Sequence, residues 1–178
     1  WVVDGSRRPG EKRDAGASSP TCLASSVLLV FSAAAQNEWH VLQFDVVKAY
    51  MLAVPSHLYY VRYPPGFDEY LARSEDAEQF NTNAFLLRVD KNCYGAADAG
   101  RMWYDTLQGF LKETLGFKTS QIDRCVFVRH EYKGNQWTIC VILVYVDDLL
   151  VFGSISTVTE VSAALRARFP LTDGASDY

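Results

Sequence analysis

The stretch Trp137–Phe152, WTICVILVYVDDLLVF, decides the fold. Its first part, Trp137–Tyr145, is almost wholly apolar and rich in β-branched residues, and the apolar run resumes at Leu149–Phe152. Apolar runs of this kind are typical of buried strands, and a polar break between two of them is typical of a tight turn. The stretch therefore predicts a β-hairpin that carries two adjacent carboxylates, Asp147 and Asp148, at its tip.

The Asp147–Asp148 pair favours two interpretations. Like charges held close together disfavour mutual ionisation unless a cation joins them, and a hard divalent ion such as Mg²⁺ prefers carboxylate oxygen. Aspartate is also an ordinary turn residue, so the pair taken alone leaves a purely structural role open. The rest of the chain has to decide between a metal site and a simple turn.

Composition points to one globular domain. The 178 residues are 49% hydrophobic, which is enough for a sizeable core, and the net charge of −4 provides no overall basic field for unselective binding to nucleic acid. The four cysteines are far apart, without the CxxC spacing of a zinc site. The longest apolar segment, residues 22–35, is too short to span a membrane. A soluble protein of a reducing, intracellular compartment is expected.

Three segments show helical periodicity. Pro20–Gln36 follows a candidate N-cap, Ser19, and Asp98–Leu115 carries an apolar stripe. A capping box at Thr157–Glu160 predicts the start of a third helix, which Pro170 ends. These helices are separated by strand-like runs.

Strand-like runs precede the hairpin at His40–Val47, Leu58–Tyr63, Ala84–Val89 and Cys125–Tyr132. Helices and strands do not alternate, so the order predicts an α+β fold, an antiparallel sheet with helices packed on one face. Residues 1–18 show little periodicity and are expected to form an irregular lead-in.

A third carboxylate, Asp45, lies at the end of the first predicted strand. If that strand neighbours the hairpin in one sheet, Asp45, Asp147 and Asp148 converge at a single edge. Such a cluster is electrostatically unreasonable without metal, and two divalent ions about 3.5–4 Å apart could bridge it in a phosphoryl displacement. Taken alone, Asp45 is also compatible with a strand-end acid bonded to backbone amides.

Five segments carry a family resemblance. They are FDVVKAY (Phe44–Tyr50), YVRYPPGF (Tyr60–Phe67), CYGAADAGRMWY (Cys93–Tyr104), LGFKTSQIDRC (Leu115–Cys125) and YVDD (Tyr145–Asp148). In type and order they resemble the reverse transcriptase of copia-type (Pseudoviridae) LTR retrotransposons, and the match runs from about residue 19 to 173. Five motifs in the right order are far more specific than YVDD alone.

The resemblance implies a polymerase palm with partial fingers over residues 19–178. It implies that Asp45, Asp147 and, less directly, Asp148 hold two Mg²⁺ ions, for which Mn²⁺ can substitute, with the backbone carbonyl of Val46 as a further ligand. The implied reaction is RNA-directed DNA polymerisation, in which dNTPs are added to a primer 3′-hydroxyl on an RNA or DNA template.

Three further residues are implied to bind nucleotide. Tyr50 would lie beneath the incoming sugar as a steric gate against a 2′-hydroxyl, although a core aromatic at this place is equally expected and the two roles can coexist. Tyr94 and Gly95 would line the nucleotide and template pocket, where glycine permits close backbone approach. Trp103, on the apolar stripe of its helix, is expected to be a core residue rather than a base-stacking platform.

Departures from the family pattern support a rival interpretation. Ala97–Gly100 replaces a Lys-Gln-Ala-Pro segment, and Thr172 lies about where the family carries a later lysine. Lost cations weaken contacts with phosphate. The chain could therefore be a decayed, non-catalytic remnant that acts at most as a weak nucleic-acid-binding module. A second rival is an unrelated metal-dependent phosphotransferase that shares the acidic hairpin tip.

The resemblance also implies partners and location. The family's polymerase is cut from a polyprotein that includes a thumb, a ribonuclease H domain and an integrase, and it works in cytoplasmic virus-like particles. The chain is expected to be the palm with part of the fingers, with the thumb and ribonuclease H domain absent and no contact with a membrane.

Overall fold

The computed structural model describes residues 18–64, 66, 67, 69, 86–133 and 135–174. The expected lead-in lies outside these residues except for its last position. The chain divides into two compact units. The sheet unit contains Ser19–Ala49 and Trp103–Tyr178, and the small unit contains Tyr50–Met102. Within the described part of the chain, no helix is long and apolar enough to cross a membrane.

The strands are, in chain order, β1 (His40–Val46), β2 (Tyr60–Val61), β3 (Leu87–Arg88), β4 (Lys118–Thr119), β5 (Val126–Lys133), β6 (Gln136–Tyr145), β7 (Asp148–Gly153) and β8 (Leu171–Asp173). Six of them form an antiparallel sheet in the order β4-β5-β6-β7-β1-β8. The predicted hairpin is β6–β7. In the small unit, β2 and β3 pair with each other over two residues each, so both strands are shorter than predicted. Residues 84 and 85 of the predicted strand lie outside the described residues.

The helices are α1 (Ala24–Gln36), α2 (Ala99–Gly109), which continues as a π-helix (Phe110–Thr114), α3 (Ile155–Arg168) and a 3₁₀ turn (Ala49–Leu52). Tyr104 of α2 packs on Phe127, and Glu160 of α3 pairs with Arg129. Phe127 and Arg129 are two positions apart on β5, so α2 and α3 cover the same face of the sheet. The predicted α+β fold, an antiparallel sheet with helices packed on one face, is confirmed for these two helices.

Helix α1 packs on the opposite face of the sheet. Its buried residues Val30 and Ala34 form a cluster with Val126, Val141, Leu143 and Phe152. Val126 is the sequence neighbour of Phe127, and side chains of consecutive strand residues point to opposite faces. The face that carries α1 therefore differs from the face that carries α2 and α3.

The start of α1 was predicted wrongly, because the helix begins at Ala24 rather than at Pro20. A tertiary contact holds the preceding residues in an extended conformation. The Leu23 amide and the Cys22 thiol both donate to the carboxylate of Asp123, at 2.9 and 3.4 Å. The Cys125 amide donates to the other oxygen of this carboxylate at 2.9 Å. Asp123 is only 5% exposed, so it clamps the chain entering α1 to the loop before β5.

The start of α3 was also predicted wrongly. The helix begins at Ile155, and the Ser154 side chain accepts a hydrogen bond from the Thr157 amide as its N-cap. Thr157 is thus inside the helix rather than at its cap. Glu160, which the capping box would have used, pairs with Arg129 at 3.1 Å. The Glu160 carboxylate therefore binds Arg129 of β5 instead of the backbone amide that a capping box would supply.

Replacing Asp123 with asparagine is expected to destabilise the sheet unit. The asparagine side chain would keep the size of the original but lose charge-assisted hydrogen bonds, which are each worth about 1.5–3 kcal/mol. We expect Asp123→Asn to lower the free energy of unfolding in urea by about that amount, whereas Glu113→Gln, at an exposed position of the π-helix, should stay within about 0.5 kcal/mol of the wild type. Equal stability of the two variants would contradict the clamp.

The Asp123 clamp is also expected to depend on pH. Burial acts to raise the pKa of the Asp123 carboxyl, but the hydrogen bonds that it accepts outweigh burial and lower this pKa. A carboxyl with a lowered folded-state pKa stabilises the fold fully above the ordinary Asp pKa of about 3.9, and this contribution is lost as the pH falls through the lowered value. The stability difference between the wild type and Asp123→Asn should therefore be largest near neutral pH and shrink below about pH 4. Urea titrations at several pH values measure it.

Candidate active site

The pairing of β1 with β7 brings the predicted carboxylates together. Asp45 and Asp148 are direct partners in the antiparallel register, and the Val46 amide donates to the Asp147 carbonyl at 2.9 Å. Directly opposite residues point to the same face with Cβ atoms about 4.5–5.5 Å apart. Asp148 alternates with Leu150 and Phe152, so the carboxylates of Asp45 and Asp148 lie on the face that carries α1. All three acids are partly buried.

The turn between β6 and β7 has a strained backbone. Only Val146 and Asp147 connect the two strands, and Val146 has a φ of 58°. Positive φ at the first central residue of a two-residue hairpin is usual, but glycine normally occupies that position. A β-branched residue there is an outlier, and conformations of this kind cost about 1–3 kcal/mol. The structure therefore holds the two acidic residues on a turn whose first residue, Val146, does not favour the observed conformation.

Three contacts hold this turn in place. The indole Nε1–H of Trp103 donates to the Val146 carbonyl at 2.6 Å. Tyr145 forms an isolated antiparallel bridge with Thr21, and the Val46 amide bonds to the Asp147 carbonyl. Contacts from other segments of the same chain thus fix the backbone of the turn and of the residue before it.

The electrostatics of the carboxylates reflect their proximity. Burial, followed by the negative charge of Asp147, raises the pKa of the Asp148 carboxyl, and the charge of Asp45 adds to the effect. A hydrogen bond from the Gln43 side chain acts in the opposite direction without cancelling it. The three acids therefore interact with one another, and their repulsion is relieved only in part by the protein.

The chemistry of these donors fits a hard divalent cation, which prefers carboxylate oxygen. Among the described residues, no group of three or more His, Cys, Asp or Glu side chains is arranged so that it could hold a metal ion. The donor set implied by the family resemblance, which comprises the carboxylates of Asp45, Asp147 and Asp148 and the backbone carbonyl of Val46, does not form such a group in this structure. Asp45 and Asp148 pair across the β1–β7 ladder, and Asp147 adjoins the ladder through the hydrogen bond from the Val46 amide.

The structure adds three contributors to this site, of which the sequence had singled out only the position of Thr172, through the family resemblance. Gln43 bonds to Asp148, Thr172 lies directly opposite Asp45 on β8, and Trp103 holds the turn. Trp103 is fully buried, as predicted for a core residue, but its hydrogen bond was not foreseen. The alternation of Gln43 with Asp45 on one strand could have indicated the first of these. Only the fold reveals the contact of Trp103 with the turn, because it joins distant segments of the chain.

The implied nucleotide-binding residues lie in the small unit. The rings of Tyr50 and Tyr94 contact each other with centroids 5.1 Å apart and a tilt of 51°. Gly95 has a φ of 90° in a turn that is closed by a bond from the Ala96 amide to the Cys93 carbonyl. A turn with positive φ at its third residue requires glycine or asparagine. The structure thus brings Tyr50 to Tyr94 and explains why glycine stands at 95.

The segment Ala97–Gly100, which departs from the family pattern, uses its acid within the small unit. The amide of Ser56 donates to the Asp98 carboxylate at 3.0 Å, and the Ser56 hydroxyl bonds to the same oxygen. The Asp98 carbonyl accepts the Met102 amide in the first turn of α2. Asp98 therefore ties two segments of the chain together at the start of this helix.

Comparisons with known proteins agree with the resemblance. The family model described as reverse transcriptase (RNA-dependent DNA polymerase) matches residues 1–177. The chain is 28% identical over 152 residues to the Gag-Pol polyproteins of transposons Ty1-BL and Ty1-DR4 from Saccharomyces cerevisiae, a match that covers 85% of this chain. The matched part is 8% of the length of these relatives. No solved structure gives a significant match. The predicted likeness to copia-type reverse transcriptases is confirmed.

Replacing Val146 with glycine is expected to relieve the strain of the turn. A left-handed conformation costs a residue with a Cβ about 1–2 kcal/mol, and the greater freedom of glycine in the unfolded chain returns about 0.5–1 kcal/mol of this. The free energy of unfolding of Val146→Gly should therefore be unchanged or up to about 1 kcal/mol higher. The matched variant Val144→Gly, at a buried position of β6, should lose about 2 kcal/mol or more. A similar loss for both variants would show that the turn is not strained.

Proposed function

The chain belongs to the reverse transcriptase (RNA-dependent DNA polymerase) family, and we propose that it forms the palm, with part of the fingers, of a copia-type retrotransposon polymerase. The proposed reaction is the transfer of a deoxynucleotide to a primer 3′-hydroxyl on an RNA or DNA template. The observation that carries the proposal is the register of β1 with β7, which sets Asp45 beside Asp148 and next to Asp147.

The proposed cofactor is a pair of Mg²⁺ ions, with Mn²⁺ as a substitute. Asp45, Asp147 and the backbone carbonyl of Val46 would hold them, and Asp148 would take part less directly. Metal bound at such a site supplies charge stabilisation for the displacement at phosphorus. Burial is the main cause of the raised pKa of Asp148, and the charges of Asp147 and Asp45 add to it. The repulsion between these charges supports the assignment, because a bound cation would relieve it.

The contribution of this chain's own residues is preorganisation. Backbone pairing between β1 and β7 holds Asp45 and Asp148 opposite each other. The Gln43 side chain orients the Asp148 carboxylate through a hydrogen bond. Groups held in their productive geometry before the reaction contribute most to catalysis of this kind.

Selection of deoxynucleotides is assigned to Tyr50 in this proposal. A ring beneath the sugar leaves no room for a 2′-hydroxyl, the group by which proteins tell RNA from DNA. The contact of Tyr50 with Tyr94 supports the assignment because it restricts the Tyr50 ring. Tyr94 and the turn at Gly95 would line the nucleotide and template pocket.

Other partners follow from the same proposal. Template with primer and dNTPs are the substrates, and the curated relatives are Gag-Pol polyproteins. We therefore propose that this chain works together with the remaining polyprotein domains, namely the thumb, ribonuclease H and integrase, in cytoplasmic virus-like particles.

The alternative of a decayed, non-catalytic remnant is supported by the charge of the chain. A decayed remnant that binds nucleic acid weakly is consistent with Asp98, an acid in a segment where the family carries a cation, and with the net charge of −4. The unrelated phosphotransferase is excluded by the family match and by the pairing of the β6–β7 hairpin with β1.

Removing one carboxylate decides between polymerase and remnant. Asp147→Asn keeps the shape of the turn but removes a charged metal ligand, so the rate of primer extension should fall at least about 100-fold, the equivalent of the several kcal/mol that a metal ion contributes. Incorporation of dNTPs on RNA and DNA templates with Mg²⁺ or Mn²⁺ measures it.

The matched control is Asp90→Asn, which removes an exposed carboxylate of the small unit and should leave the rate unchanged. Failure of the wild type to extend a primer with either metal would favour the remnant interpretation. Equal activity of the wild type and Asp147→Asn would show that the catalytic site lies elsewhere.

Tyr50 can be tested through sugar discrimination. Tyr50→Ala removes the ring, so the preference for dNTPs over rNTPs should fall at least about tenfold, as for other steric pockets. Tyr50→Phe keeps the ring and should retain the preference. Single-nucleotide incorporation with each sugar measures the ratio. An unchanged ratio in Tyr50→Ala would limit Tyr50 to a packing role.

A further inference from the structure

Trp103 makes a specific polar contact with the acidic turn. Its side chain is fully buried, and its indole Nε1–H lies 2.6 Å from the Val146 carbonyl oxygen. The ring also packs against Phe169, whose ring meets it edge-on at a centroid distance of 5.4 Å. The donor is therefore fixed by packing and is not free to follow the turn if the turn moves.

The acceptor is the peptide whose orientation sets the direction of the carboxylates. The Val146 carbonyl belongs to the central peptide of the two-residue turn, which joins Val146 to Asp147. Turn types with the same central residues differ in the orientation of this peptide. Because a β-branched residue does not favour positive φ, Val146 has no intrinsic preference for the observed orientation. Something outside the turn has to select it.

We infer that Trp103 is a positioning residue, which selects this orientation of the Val146–Asp147 peptide through its indole N–H and so directs Asp147 and Asp148 toward Asp45. The inference rests on the proposed function for its catalytic consequence, but the hydrogen bond and the strained turn stand without it. The side chain thus has two separable roles, one as an apolar core residue and one as a hydrogen-bond donor.

The two roles can be separated by substitution. Trp103→Phe keeps an aromatic ring in the core and removes only the donor and part of the volume. Leu107→Ala, on the same buried stripe of α2, removes packing but leaves the hydrogen bond. Trp137→Phe removes an indole N–H from an exposed position on β6 and serves as the control for the substitution itself.

The experiment compares these full-length variants with the wild type in Mn²⁺ binding and in primer extension. For Trp103→Phe we expect kcat and Mn²⁺ affinity to fall about 10- to 100-fold, as is usual when a group that orients metal ligands is lost, with little change in the KM for dNTP. Leu107→Ala should lower thermal stability while kcat and Mn²⁺ affinity stay near wild type. Trp137→Phe should match the wild type throughout.

A second measurement needs no variant. In the unmutated chain, the Trp103 indole proton should exchange with solvent far more slowly than that of Trp137. Exchange of both protons at similar rates would overturn the inference, even if Trp103→Phe does not fold. Unchanged kcat and Mn²⁺ affinity in a folded Trp103→Phe would also overturn it, while leaving the polymerase assignment intact.

Failure of the proposed function gives a different result. If the wild type neither binds Mn²⁺ nor extends primers, the amides of residues 145–148 decide the positioning role on their own. Faster hydrogen exchange of these amides in Trp103→Phe than in Leu107→Ala would support the role, and equal exchange would overturn it.

Discussion

In an antiparallel sheet, a slip of one residue in register turns every side chain of a strand to the opposite face. Such a slip is costly for β1, the strand that carries Asp45. Its neighbours Phe44 and Val46 are each 1% exposed against the helices of the other face. A shift of one residue would turn these two side chains away from that face and bring the carboxylate onto it. The hydrophobic pattern of β1 therefore fixes Asp45 beside Asp148, and the apolar core specifies the position of the polar site.

The parts of the fold that the sequence predicts are those governed by local pattern. The β6–β7 hairpin follows from two β-branched runs around a polar break, and the α2 stripe follows from its periodicity. The start of α1 was missed because a distant residue competes for a local group: Asp123, a hundred positions away, accepts the Leu23 amide. The start of α3 was missed because Ser154 is the N-cap in place of Thr157. Sequence pattern alone leaves the convergence of Asp45 with the acidic turn conditional on the order of the strands. The family resemblance implies this convergence directly.

Asp98, which departs from the family pattern, adds a negative charge in the sequence but accepts hydrogen bonds from Ser56 in the structure. In the sequence, the segment Ala97–Gly100 lacks the lysine of the family pattern, and Asp98 adds a negative charge, a combination that weakens contact with phosphate. In the small unit, its carboxylate accepts the amide and hydroxyl of Ser56, so this charge is engaged by donors of the same chain. Asp98 therefore has a structural role in the small unit, and loss of function does not follow from its charge alone.

Two hairpin turns of the same sheet differ in backbone strain and in charge. The β5–β6 turn places Asn135 at a φ of 65°, and asparagine tolerates this conformation well. The β6–β7 turn places a valine at a φ of 58° and joins it to two acids whose charges repel each other and that of Asp45. The topology of a hairpin requires neither feature, and both oppose stability. Backbone strain and clustered like charge at one position are typical of functional sites, which supports the proposed role of the acidic turn, and the buried Trp103 side chain donates a hydrogen bond to that turn.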